Sequence, residues 1–306
     1  MEIGTGISLC LPSFFNKANC KHFTGLCYDT FIHKVRCICT KFIKCINVNT
    51  GIAGKANVTL ETRILLTMIR LRQFFEFAEF EDWFDMSQHE CRTIFDDVVN
   101  QMLSCFKKPE WVHRDKIAGH IPIDFKEDVN ILAVVHKRTI RFKKQPSSSE
   151  CISDNEKCFT FTGLVCFDVR GFVMFLSKLF PGPISDKELL AESKLLQVLQ
   201  ECIECEKLLK GDRILIGNNL DIGKEINGLG LVSVGSSIGS NTNAVLIDHE
   251  IISDYEDKAI SHLNEFKIFS ETITDFSLIG DVNNIVRVCC SLCNIDVDLE
   301  CEKKDE

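Results

Sequence analysis

Near Val129 the apolar residues of this chain change their period, and no other feature limits its fold as much. Before that point they recur every three or four positions, the spacing of helices with one buried face. In residues 59–73, Ile64, Leu65, Met68, Ile69 and Leu71 keep this period, with Arg63, Arg70 and Arg72 among the polar positions. A short helix is predicted over residues 75–84. Ser87 and Glu90 then form a capping box, in which each side chain satisfies the other's backbone N–H, and open a helix carrying Ile94, Phe95, Val98, Val99 and Met102. Helix, helix, tight turn and helix make a helix-turn-helix arrangement. Plain helical packing is the competing reading, because Asp96 and Asp97 stand beside a lone Arg92. Upstream, residues 28–45 read as one helix, and residues 47–57 as a polar, glycine-bearing linker.

After Val129 the pattern is that of strands. Ile131, Leu132, Ala133, Val134 and Val135 form a buried-strand run, followed by the basic stretch from His136 to Lys144. Residues 159–167 and 171–178 read as a hairpin turned at Asp168-Val-Arg-Gly171. Ser185 and Glu188 form a second capping box, opening a helix through Leu189, Leu195, Leu196, Val198 and Leu199. Arg213-Ile-Leu-Ile216 is a short buried strand. Residues 223–239 read as a glycine-rich loop, and residues 254–266 and 285–295 as helices. Strand, hairpin, helix, strand, helix is the order of a ribonuclease-H-like α/β core, a mixed sheet flanked by helices. The predicted organisation is an N-terminal helical or irregular segment (1–57), a helix-turn-helix module (58–127), the α/β domain (128–299) and a charged tail (300–306).

Composition narrows the function. The chain has 306 residues, 45% hydrophobic and 26% charged, with a formal net charge of −9. That is a globular balance, and the acidic surplus argues against coating nucleic acid through net charge. The most apolar stretch, residues 163–180, is interrupted by Asp168, Arg170 and Lys178, so no membrane span is expected. Glu2 stands where a secretion signal would be basic. The 17 cysteines therefore read as reduced thiols inside a nuclear or cytoplasmic protein. Two CxxC pairs, Cys202/Cys205 and Cys290/Cys293, lie far apart in helical apolar patterns. Cys37, Cys39, Cys45 and His33 lack paired knuckles. Packing on a buried face explains these thiols better than structural zinc does. The glycine-rich stretches lack a phosphate-loop lysine, and no GxSxG elbow is present.

Several motifs in order resemble the DDE transposases of the Harbinger type, the branch associated with THAP domains. His22-Phe-Thr-Gly-Leu26 with Phe31 resembles their entry motif. Leu65-Leu-Thr-Met-Ile-Arg-Leu-Arg72 and Phe84-Asp-Met-Ser87 resemble their helix-turn-helix. Trp111, Arg114, Pro122 and Phe125 match the segment before the nuclease core. Phe175-Leu-Ser-Lys178, Ser185-Asp-Lys-Glu188 and Ile285-Val-Arg-Val-Cys-Cys-Ser-Leu-Cys-Asn294 match the hairpin, a helix start and the closing helix. The resemblance runs from Lys21 to Leu299. It implies DNA strand cleavage and joining by two divalent metals, Mg²⁺ or Mn²⁺, held by three carboxylates. The THAP zinc-finger pattern itself is absent.

At the matching positions the carboxylates are mostly missing. Lys137 stands at the first, Gly217 at the second, and Asp257 at the third, where glutamate is expected. An ammonium about 4 Å from a metal opposes it by several kcal/mol in an intermediate dielectric. Asp128, Glu150, Asp212 and Asp221 are the nearest other acids. Asp186 survives at a helix start, as a carboxylate beside the implied metal pocket or as a first-turn charge favourable to the helix dipole. Any bound metal would rest on Asp186 and Asp257. Residues 154–158 lack the tyrosine and histidine of the family. The basic run supplies Lys137, Arg138, Arg141, Lys143 and Lys144 as candidate phosphate contacts, with Arg92 from the helical module. Alternatively it is the solvated face of a strand, since Ile140 and Phe142 share one side. The sequence thus favours a transposase-derived protein without nuclease activity that retains DNA or protein binding. An active endonuclease and a purely protein-binding module are the alternatives.

Overall fold

In the computed structural model of the chain, residues 12–45, 58–121, 131–143, 158–209, 212–217, 225–226, 229–233 and 249–304 are described. They fall into two compact units. One comprises residues 1–107, 265–268 and 284–289; the other comprises 108–264, 269–283 and 290–306.

The first unit is helical. Its elements are α1 (Cys20–Thr24), α2 (Tyr28–Cys45), α3 (Leu60–Gln73), α4 (Phe77–Phe84) and α5 (Gln88–Cys105). Thr59 caps α3 by accepting the Thr62 N–H, and the Ser87/Glu90 capping box starts α5 as expected. Helix α3 packs on α1, α2 and α5. It is buried nearly all round, and this corrects one expectation: Arg63, Arg70 and Arg72 are inside, not on a polar face. The planar guanidinium makes this possible, because it donates in its plane and stacks on rings. Arg72 pairs with Glu265 and lies 4.8 Å from the Phe266 ring centroid. Arg70 donates to the carbonyls of Phe74 and Phe75 and stacks between the Phe74 and Phe77 rings. Arg63 donates Nε to the Val58 carbonyl, and burial pulls its pKa down.

The second unit holds the sheet. Its strands are β1 (Ile131–Lys143), β2 (Cys158–Asp168), β3 (Val173–Leu176), β4 (Phe180–Pro181), β5 (Arg213–Ile216), β6 (Glu225–Ile226), β7 (Leu229–Ser233) and β8 (Thr272–Ile273). The order is β3-β2-β1-β5-β7-β6, with β4 on β2 and β8 on β1. Strands β1, β2 and β3 are antiparallel, while β5 runs parallel to β1 and β7 parallel to β5. Its helices are α6 (Arg114–Ala118), α7 (Asp186–Ser193), α8 (Leu195–Glu204), α9 (His249–Asn264) and α10 (Val282–Lys304). Residues 284–289 of α10 group with the first unit. Strand alternation shows that helices cover both faces: Lys137 reaches Asp186 of α7, while the next residue, Arg138, reaches Asn264 of α9. An antiparallel trio continued by two parallel strands, between helices, is the expected ribonuclease-H-like core.

Side chains seal the margins of the sheet. Asn294 of α10 takes the Val173 N–H at 2.6 Å and returns its own Nδ2–H to the Val173 carbonyl at 2.9 Å. Asn283 accepts the Leu179 N–H. Gly163 is required where the chain crosses β2: a Cβ there would stand 2.7 Å from a Leu179 methyl and 3.3 Å from the Lys178 carbonyl. Gly171, at φ +90°, closes the hairpin with Asp168, whose buried carboxylate accepts the N–H groups of Arg170 and Phe172.

Other departures from the sequence reading have local causes. The helix expected after Ser185 breaks at Lys194, which adopts φ 62°, and the Ser193 hydroxyl then accepts the Leu195 N–H to start α8. The stretch expected to be loop contains β6 and β7, and Gly230 lies within β7 opposite Arg213 of β5. Residues 300–304 continue α10 where a tail was expected. One boundary between the two units falls after Lys107. Beyond it, Arg114 donates its backbone N–H to the Lys207 carbonyl and its guanidinium to Asp212, binding α6 into the second unit.

Candidate functional site

The site implied by the sequence lies on β1, β5 and the start of α7. Strand β1 is apolar and fully buried through Val135, then its side chains separate by face. Ile140 and Phe142 point inward on one side, while Lys137, Thr139, Arg141 and Lys143 alternate on the other. Lys137 stands opposite Leu164 of β2, and on the next rung Thr139 and Thr162 share a hydroxyl–hydroxyl bond of 3.2 Å.

Helix α7 begins above this face. Ser185 accepts the Glu188 N–H, and Glu188 accepts the Ser185 N–H and hydroxyl. Those bonds, chiefly the hydroxyl's, hold the Glu188 carboxyl below the ordinary range. The cap fixes the first turn, so Asp186 is aimed at the strand. Lys137 Nζ donates to Asp186 Oδ1 at 2.8 Å, with the two side chains 25% and 24% exposed. This is a charge-assisted bond. Two positions considered separately in the sequence are thereby joined across 49 residues.

The second position carries no donor side chain. Gly217 follows β5, is buried, and gives its N–H to the Val135 carbonyl at 2.9 Å. Continuing the parallel register sets it beside His136, one residue from Lys137. The third position, Asp257, is exposed on α9. Asp212 is committed elsewhere: it is 2% exposed, bonded to Arg114 and accepts the Leu209 N–H at 2.7 Å. Asp128, Glu150 and Asp221 lie outside the described residues. An ammonium, a glycine and one exposed carboxylate do not fit a divalent metal, which demands several converging oxygens. Among the described residues, no three His, Cys, Asp or Glu side chains are grouped to hold one.

The candidate phosphate contacts have divided. Arg138 donates to Asn264 Oδ1 at 2.8 Å, and Arg92 pairs with Asp96 one turn along α5 at 3.6 Å. Arg141 and Lys143 are exposed; Lys144 lies outside the described residues. The cysteines whose side chains are described are free thiols. Cys290 and Cys293 are buried as expected, but Cys205 is exposed, because it follows the last residue of α8 and not a further turn. Burial raises the Cys166 thiol well above its ordinary value, and the Cys39 and Cys202 thiols to about 12. The partnership of Lys137 with Asp186 was missed in the sequence. The available signal was the coincidence of an unexpected cation with a surviving acid.

Comparison with known proteins finds two similarities. Residues 135–221, which span β1 to just past β5, match the family described as DDE superfamily endonuclease. The chain is also similar to one in a solved structure titled "Crystal structure of a pre-cleavage Mos1 transpososome", at 11% identity and a TM-score of 0.31, covering 89% of this chain and 97% of that one. No curated protein matches the chain. Among the described residues, no helix is long and apolar enough to cross a membrane.

Proposed function

We propose that this chain is a transposase-derived protein of the Harbinger type that has lost nuclease activity and works by binding. The observation that carries the reading is the Lys137–Asp186 ion pair at 2.8 Å, at the start of the segment that matches the endonuclease family. A fixed ammonium beside the surviving acid opposes the metal on which strand cleavage in that family depends. The bound partner is DNA or a protein. DNA contact along β1 rests on Arg141 and Lys143, the exposed cations of that strand among the described residues. The family's divalent metal is dispensable for either partner, and the protein works in the nucleus or the cytoplasm.

The test is incubation of the purified chain with supercoiled plasmid and Mg²⁺ or Mn²⁺. No nicking is expected, and robust nicking abolished by Asp186→Ala overturns the reading. Retention on duplex DNA at rising salt separates the two kinds of partner. Phosphate contacts give a steep loss of affinity with salt, whereas a protein-binding module is not retained at all.

A further inference from the structure

We infer that Lys137 is a built-in counter-ion, occupying beside Asp186 the place that a divalent cation takes in the resembled nucleases. It makes this end of the sheet independent of metal. The inference rests on the reading of the site proposed above, and extends it from what the protein has lost to what replaces the loss.

Three observations support it. The ammonium donates to Asp186 at 2.8 Å with both side chains about three-quarters buried, so water competes weakly for either. The neighbours of Lys137 on its face of β1 and β2 are neutral: Leu164 stands opposite, and Thr139 and Thr162 are bonded to each other. The Ser185/Glu188 capping box anchors α7 at the residue before Asp186, so the carboxylate is held against the strand. A carboxylate fixed this way gains from a positive partner. The lysine supplies it through covalent attachment, at no cost in translational freedom. A free cation approaching Asp186 meets an ammonium already seated.

Removing that ammonium should therefore open the place to an ion. The experiment uses the full chain with Mn²⁺ as probe, followed by thermal unfolding and by loss of the free-ion electron paramagnetic resonance signal. The unaltered chain is expected to show no shift in midpoint and no Asp186-dependent Mn²⁺ uptake. Lys137→Asp places a second hard oxygen donor near Asp186. It should bind Mn²⁺ at least about tenfold more tightly, as loss of a like-charge repulsion permits. Asp186→Asn in that background should abolish the gain. If Lys137→Asp does not fold, Lys137→Gln removes the charge and keeps most of the stem, and should show a smaller gain with the same dependence on Asp186. Mn²⁺ stabilisation of the unaltered chain that is lost on Asp186→Asn overturns the inference. So does a folded Lys137 variant indifferent to Mn²⁺. Neither result touches the proposed function unless the unaltered chain also nicks DNA, so the two failures are distinguishable.

Discussion

Single side chains in this protein do work that their sequence neighbours do not announce. Lys137 and Asp186 each hold the other's charge, and removing one takes this ion pair from a partly buried charge. Lys137→Ala and Asp186→Ala should each destabilise the second unit by about 1–2 kcal/mol, between the values for exposed and fully buried pairs. The double variant should lose less than the sum of the two, as urea unfolding would read through a double-mutant cycle. Lys194 is strained in the opposite sense. A side chain at φ 62° costs about 1 kcal/mol that glycine does not incur, so Lys194→Gly should raise the urea midpoint. Unchanged or lower stability would mean that the lysine stem compensates through packing. None of this was legible beforehand. The lysine at the helix break looks like any exposed helix residue, and the ion pair joins residues whose separation carries no periodicity.

At the level of elements, the sequence was most readable where local chemistry decides. The Ser87/Glu90 and Ser185/Glu188 capping boxes occur as expected, because both partners lie within one turn and the backbone there has few alternatives. Ser185→Ala should cost about 1 kcal/mol and loosen the start of α7. The pH dependence has a definite sign. The Glu188 carboxyl is held below its ordinary value, so its contribution is complete above the unfolded carboxyl's pKa and fades as pH falls through the lowered folded one. An acid titration should show Glu188→Gln differing least from the parent at the acid end. Readability failed where burial overrode polarity. Arg63, Arg70 and Arg72 keep helical spacing in α3 yet lie inside, supported by carbonyls, rings and the distant Glu265. Strand β7 escaped notice because its Gly230 imitates a loop and its parallel partner β5 lies earlier in the chain, and the two-residue β6 pairs with β7. For the candidate site, the three positions were found by resemblance, but the partner of Lys137 came only with the third dimension.

Across the molecule, the cysteines with described side chains become a record of burial. Cys27 and Cys205 are exposed, whereas Cys39, Cys91, Cys166 and Cys202 are buried with raised thiols. Under native conditions, mass-resolved alkylation of the thiols in the described residues should label Cys27 and Cys205 first and the buried four only on unfolding. Rapid labelling of Cys166 would contradict the sheet's packing. These folded thiols bind protons more tightly than unfolded ones, so stability is complete below pH about 9 and declines as pH rises toward about 12. The Asn294 clamp on Val173 has a consequence for solubility. A sheet margin with open N–H and C=O groups invites a strand from another molecule, and growth by addition follows. By filling both groups of Val173 with one carboxamide, α10 removes a docking point for such a strand. Asn294→Leu would leave the helix intact and uncover that point. At high concentration the variant should be the first to form intermolecular β-structure.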